Sequence, residues 1–237
     1  VQHLLMFHHQ PVRRVDDNSI TEDRGLFDGT DYTLEGLTDV DFRGGGHGTF
    51  RWTIDGVDYY TQYLPPSSTD LESTADGMVA EMDYAGVDKA VVQTGQLYGR
   101  LNEHLSDAVA RHPDRLWAPV LVDEWLVDQR SQIQVLDRAL NELNLSGLWY
   151  QAGNAKIQGR SELSDDPAFH PFWNHVADLG IPVLWNIASI GPRGPDPYIA
   201  ELAVFGRWRE RYPDVPIFLP HGIPLGRFMD GGVAEVP

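Results

Sequence analysis

An α/β fold with a parallel sheet, open or closed into a barrel, is predicted by three observations. From about residue 71 onward, short apolar runs of strand length alternate with segments of helical period. The connections between them are short, as in βαβ units. Polar residues follow the apolar runs where each strand would end, and the carboxyl edge of such sheets is where their chemistry is placed.

The elements follow in order. Residues 1–7 (VQHLLMF) make a first strand in which Gln2 and His3 need polar partners or aim at a site. Residues 8–70 lack a lasting period and read as a long insertion, a lid or substrate wall, with one hairpin. That hairpin joins residues 49–54 to 57–63 through Asp55 and Gly56, a strong two-residue turn signal. Its aromatics Trp52, Tyr59, Tyr60 and Tyr63 either line a pocket or pack the strand pair on the main body.

A helix over 71–84 stops at Gly86, and a buried strand covers 89–94. Residues 102–111 form a helix with Leu105, Ala108 and Val109 on one face, closed by His112 and Pro113. A strand over 116–122, a helix over 126–143 and a strand over 146–151 follow. Asp166 and Pro167 open a helix that Gly180 ends. Residues 181–187 are a strand, 198–212 a helix, and 215–219 a strand stopped by Pro220. Six strands are counted; a closed eight-stranded barrel needs two more, so the last βα units are expected outside this sequence. The whole, 1–237, reads as a single domain.

Composition excludes several functions. Lys plus Arg 18 against Asp plus Glu 35 gives a net charge of −17, which argues against nucleic acid or an anionic membrane as partner. A small anionic substrate is still allowed, because a few local arginines override the global field. The absence of cysteine rules out disulfides, thiolate metal ligands and a cysteine nucleophile. No apolar run of about 18 residues and no signal segment is found, so a soluble, cytoplasmic protein is expected.

The candidate site consists of the strand ends: Gln2 and His3, Gln93 and Thr94, Asp123 and Glu124, Tyr150 and Gln151, Asn186, and His221. His221, followed by Gly222, Pro224 and Gly226, sits on a loop where backbone can approach a ligand. An imidazole there suits general acid–base chemistry, or it satisfies a neighbouring carbonyl. His3 and His221 with a nearby oxygen could hold zinc or manganese. His8 and His9 are adjacent and would point to opposite faces of a strand. His47, His104, His112, His170 and His175 read as surface residues. Arg43 and Arg51 flank the glycines of residues 44–48 and either clamp a substrate carboxylate or stay surface charges.

Several stretches together resemble the amidohydrolase-related family. They are Glu81-Met-Asp-Tyr-Ala-Gly-Val-Asp-Lys-Ala-Val-Val-Gln-Thr94, Leu97-Tyr-Gly-Arg-Leu-Asn-Glu103, His112-Pro-Asp-Arg-Leu116, Asp166-Pro-Ala-Phe-His-Pro-Phe-Trp173, Leu179-Gly-Ile-Pro-Val183 and Pro220-His-Gly-Ile-Pro-Leu225. The family includes aminocarboxymuconate-semialdehyde decarboxylase and the resorcylate-type decarboxylases. The resemblance implies a (β/α)8 TIM barrel, usually with one divalent metal, that hydrolyses or decarboxylates small carboxylated rings or semialdehydes. It places the family's catalytic histidine on His221 and its second first-strand metal ligand on His3. Asn186 departs from the histidine expected after the fifth strand, and the acidic ligand of the eighth falls beyond Pro237.

Asn186, Gln151, Tyr150, Gln93, Arg43 and Arg51 are then expected to bind substrate. Two alternatives stay open: a metal-free enzyme like the family's pyrone-dicarboxylate lactonases, or a barrel that binds without catalysis. An open barrel edge would recruit a partner, so a homo-oligomer is expected.

Overall fold

In the computed structural model, residues 11–21, 38–64, 66, 74–95, 99–187, 196–222, 229–230 and 233–234 are described. They divide into two units, Val1–Ser73 with Ile190–Arg193 and Leu225–Pro237, and Thr74–Ser189 with Gly194–Pro224. The expected first strand, 1–7, lies outside the described residues.

The first unit is built on an antiparallel sheet of β1 Val12–Arg14, β2 Ile20–Thr21, β3 Arg43–Gly46, β4 Thr49–Ile54 and β5 Val57–Gln62, in the order β2-β1-β5-β4-β3. The expected hairpin is β4–β5. Asp55 and Gly56 both take positive φ, 53° and 75°, as the favoured two-residue turn requires. Trp52 and Tyr59 face each other across the pair, ring centroids 6.5 Å apart, and both are buried. Where one hairpin was expected, the insertion forms a five-stranded sheet.

The second unit alternates helix and strand. It contains α1 Ala75–Ala85, β6 Ala90–Val91, α2 Asn102–Arg111, β7 Leu116–Trp117, β8 Val120–Leu121, α3 Arg130–Asn141, β9 Leu148–Gln151, the short α4 Asn154–Ile157, α5 His170–Leu179, β10 Val183–Asn186, α6 Asp196–Arg211 and β11 Ile217–Phe218. The Thr74 hydroxyl caps α1 by accepting from Gly77 N at 3.1 Å, and Gly86 closes it in the left-handed conformation. Asp166 accepts from Ala168 N at 2.9 Å ahead of α5, which Gly180 ends. A separate antiparallel pair, β12 Met229–Asp230 and β13 Val233–Ala234, belongs to the first unit.

All strand pairs of the second unit are parallel: β6 with β7, and β8, β9, β10 and β11 side by side in chain order. The single strand expected over 116–122 is divided into β7 and β8. Pro119, lying between them, has no N–H for a ladder. On β8 the side chain of Asn102 takes the place of a strand: its Nδ2 donates to Leu121 O and its Oδ1 accepts from Leu121 N, both at 2.8 Å.

The register pairs Leu184 with Trp149, Trp185 with Tyr150 and Asn186 with Gln151, and paired residues share a face. One face meets the helices. There Tyr150 and Trp185 pack with Trp173 of α5 at 4.7 and 5.5 Å, and Trp185 packs with Trp208 of α6 at 4.7 Å. All four rings are essentially fully buried. Each such ring contributes roughly 2–3 kcal/mol by burial, so this aromatic layer is the main stabilising core of the unit. The other face of β9 and β10 carries Trp149, Gln151, Leu184 and Asn186.

Candidate active site

Because the strands run parallel, their carboxyl ends lie on one side of the sheet. β8 leads into Asp123 and Glu124, β9 ends on Gln151 and leads to Asn154 of α4, β10 ends on Asn186, and His221 follows β11. Asp123, Glu124, Gln151, Asn154 and Asn186 are all buried. Buried polar groups need partners, so their bonds define the site.

Glu124 is 1% exposed. Its Oε1 accepts from the backbone N of Gln151 at 3.2 Å, and its Oε2 accepts from Asn154 Nδ2 at 3.1 Å. Burial pushes its carboxyl up to about 7; the bonds from Asn154 and Gln151 oppose this and the neighbouring Asp123 reinforces it. Asp123 is held by the fork of Arg100 at 2.5 and 3.2 Å, and its backbone N donates to Gln132 Oε1 at 2.9 Å. Gln151 Oε1 in turn accepts from Asn186 Nδ2 at 3.4 Å. Asn186 Oδ1 is buried with no hydrogen-bond partner.

His221 stands edge-on to Trp149, ring centroids 6.2 Å apart at 75°. β10 separates β11 from β9, so the two rings meet across the face that carries Leu184 and Asn186. Burial lowers the imidazole pKa, which keeps the ring neutral near pH 7. His221 Nδ1 and Trp149 Nε1 are both buried without partners. This face therefore presents a fixed donor, an acceptor and a neutral imidazole to anything placed against it.

Of the residues singled out in the sequence, His221, Asn186 and Gln151 are gathered on this face, with Asp123 and Glu124 beside them. Gln93 is exposed, two residues beyond β6; Gly95, two residues further on, comes closer, an added Cβ there falling 4.0 Å from Gln151 Oε1.

Tyr150, expected among the substrate-binding residues, lies on the other face of the sheet. Strand alternation turns it to the helix side, where it is fully buried and its hydroxyl donates to Ser164 Oγ at 3.0 Å. Burial pushes its phenol pKa up. It is a core residue.

Arg43 and Arg51 lie in the first unit as a cross-strand pair on β3 and β4. Arg43 is engaged by Asp41 at 2.8 Å and Asp58 at 3.2 Å, whereas Arg51 Nε is buried without a partner. His112 and His175 face Asp76 and Asp137, each at 2.7 Å. His3 lies outside the described residues.

Trp149 and Asn154 were not expected as site residues. Trp149 reads as one more apolar residue in a buried run, and Asn154 follows a strand without any motif. For a divalent metal, the donor set is the test. Among the described residues no three His, Cys, Asp or Glu side chains converge. Glu124 already uses both oxygens on protein donors, and Asn186 and Gln151 offer only amides, which are weak ligands. The described residues do not form a metal centre.

A parallel βα sheet with polar groups gathered at its strand ends is the layout of a parallel α/β fold of the kind found in (β/α) barrels. No family model matches the chain, and no curated protein does. Among solved structures it is similar to a TIM-barrel protein of Bordetella bronchiseptica, at 19% identity and TM-score 0.51, over 64% of this chain and 52% of that one. It is also similar to 2,6-dihydroxybenzoate decarboxylase from Rhizobium, at 20% identity and TM-score 0.46, over 62% and 55%. A third is a dihydroxybenzoic acid decarboxylase from Polaromonas with bound manganese, at 19% identity and TM-score 0.46, over 62% and 54%. The first likeness supports the barrel fold; the other two are recorded as similarities. The chain spans about half the length of these structures.

Proposed function

We propose that this chain belongs to an enzyme of the amidohydrolase-related type that hydrolyses or decarboxylates a small carboxylated ring. What supports the reading is the convergence of His221, Gln151 and Asn186 on one face of the parallel sheet, joined to the sequence resemblance that places a catalytic histidine on His221. His221 acts as general acid or base: its imidazole is neutral near pH 7 and can take a proton from water or deliver one to the ring carbon losing carbon dioxide. Gln151 and Asn186 orient the substrate by hydrogen bonds.

A divalent metal, zinc or manganese, enters this proposal through the resemblance and through His3; the Polaromonas protein holds manganese. With no metal centre among the described residues, no step is assigned to it. An amide at Asn186, where the resemblance leads one to expect a histidine ligand, favours the second reading, a metal-independent lactonase or decarboxylase of the same fold. Assembly as a homo-oligomer is part of the proposal, to be read by light scattering. No described helix is long and apolar enough to cross a membrane.

The test is turnover of a panel of hydroxybenzoates and lactones by the full-length protein and its His221→Asn variant, with metal content measured in parallel. Loss of about 10²- to 10⁴-fold in kcat is expected for the variant. Unchanged turnover would remove His221 from the chemistry. Full activity in metal-free protein would decide for the second reading.

A further inference from the structure

Among the described residues, Glu124 is the one carboxylate buried at these strand ends without a cationic partner, since Asp123 takes Arg100. Two hydrogen bonds converge on it, and a third is made by the side chain of one of its partners. Asn154 Nδ2 and Gln151 N donate to its two oxygens, Gln151 Oε1 accepts from Asn186 Nδ2, and the path ends at Asn186 Oδ1, which has no partner. Gln151 is the link: its backbone N–H is held by Glu124 and its side chain holds Asn186. With Oε1 and Oε2 occupied, the carboxylate fixes the backbone at the end of β9 and the loop into α4. The Gln151 side-chain oxygen Oε1 then fixes which side of the Asn186 amide is the donor, leaving the Asn186 oxygen as the free end. A buried acceptor without a partner costs about 1–3 kcal/mol and is rare, and a ligand donor is one of its ordinary explanations.

We propose that Glu124 is a positioning residue that, through Gln151, presents Asn186 Oδ1 as the acceptor for a hydroxyl on the substrate. This rests on the reading of this face as an active site. It gives the asparagine, where the resemblance leads one to expect a metal-binding histidine, a recognition role of its own. A hydroxyl-bearing carboxylated ring is thereby favoured over the same ring without the hydroxyl. Trp149 Nε1–H, also unpartnered on this face, is suited to the ring's carboxylate.

The experiment measures the affinity of full-length protein for 2-hydroxybenzoate and benzoate by titration calorimetry and follows their ratio. A general loosening of the site weakens both ligands and leaves the ratio alone. Wild type is expected to prefer the hydroxylated ring about tenfold, the worth of one hydrogen bond. Asn186→Leu is expected to bring the ratio to about one, and Glu124→Gln to lower it at least about threefold, because its amide has one acceptor oxygen for the two donors and its nitrogen accepts neither. Should Glu124→Gln fail to fold, Asn154→Ala keeps the carboxylate but frees one of its oxygens, and a lowered ratio is again expected. A wild-type preference that survives in the Asn186 and Glu124 or Asn154 variants overturns the inference alone. Wild type that binds neither ring overturns the reading of the face as a site for carboxylated rings, and the inference with it.

Discussion

Tyr150 and Gln151 are neighbours in the chain, as are Trp185 and Asn186, yet each pair is divided between two environments. On the helix side of the sheet, Tyr150 and Trp185 pack against rings, the Tyr150 hydroxyl donates to Ser164, and the indole nitrogens of Trp185 and Trp208 are buried without partners. On the opposite face, Gln151 and Asn186 are also buried, and their hydrogen bonds end at the unpartnered amide oxygen of Asn186. Burial alone therefore does not distinguish core from site. The difference is in the kind of atom left over: on the helix side only indole donors inside an aromatic layer, on the other face also an amide oxygen and an imidazole nitrogen that a ligand can meet.

Several substitutions sharpen or break that comparison. Trp185→Ala should cost about 3–5 kcal/mol, read by urea denaturation, because it opens a cavity between Tyr150, Trp173 and Trp208. A loss under about 1 kcal/mol would mean that the aromatic layer is not the core. Next in size is the pH effect of Glu124. The fold raises its pKa from 4.5 to about 7, so it favours the protonated form. Its contribution to stability is therefore full below about pH 4.5 and is lost as pH rises through about 7, by roughly 3 kcal/mol at most. Denaturation of Glu124→Gln at pH 5 and pH 8 should show this part of the slope gone; an unchanged slope would assign the pH dependence to other groups.

Smaller effects are expected on either side. Tyr150→Phe removes the bond to Ser164 and should cost about 1 kcal/mol with turnover retained. A large loss of kcat with intact stability would return Tyr150 to the site. Arg43→Ala breaks part-exposed pairs with Asp41 and Asp58 and should change stability by less than about 1 kcal/mol, measured by thermal melting.

Much of the fold could be read from the chain because its local signals agree. Helix α2 falls on the expected residues 102–111, Gly86 and Gly180 end helices as expected, and the Asp55–Gly56 turn joins the expected hairpin. Strand β3 escaped notice because it is three glycines after an arginine, a poor strand by propensity. Its glycine content follows from close contact: a Cβ on Gly45 would fall 2.4 Å from Thr49 Oγ1 and 2.7 Å from Arg51 Cγ. The helix expected over 126–143 is a 3-10 turn, Glu124–Leu126, followed by α3 from Arg130, because the strand end at Asp123 is held by Gln132.

The site was legible in part for a related reason. Polar residues that end apolar runs marked Gln151, Asn186 and His221, along with Asp123 and Glu124. A strand buried on both faces, however, shows no alternation of polar and apolar residues. Nothing in Leu148–Gln151 distinguishes the face of Tyr150 from that of Trp149, so the first was expected in the site and the second was not. Only the pairing with β10 and the helices packed outside it tell them apart.

The most direct measurement is a crystal structure of the full-length protein soaked with a hydroxylated, carboxylated ring. The ring is expected against His221 and Trp149, with its hydroxyl within hydrogen-bond distance of Asn186 Oδ1. A ring seated elsewhere, with Asn186 Oδ1 and His221 Nδ1 still unpartnered, would contradict the assignment of chemistry to this face of the sheet.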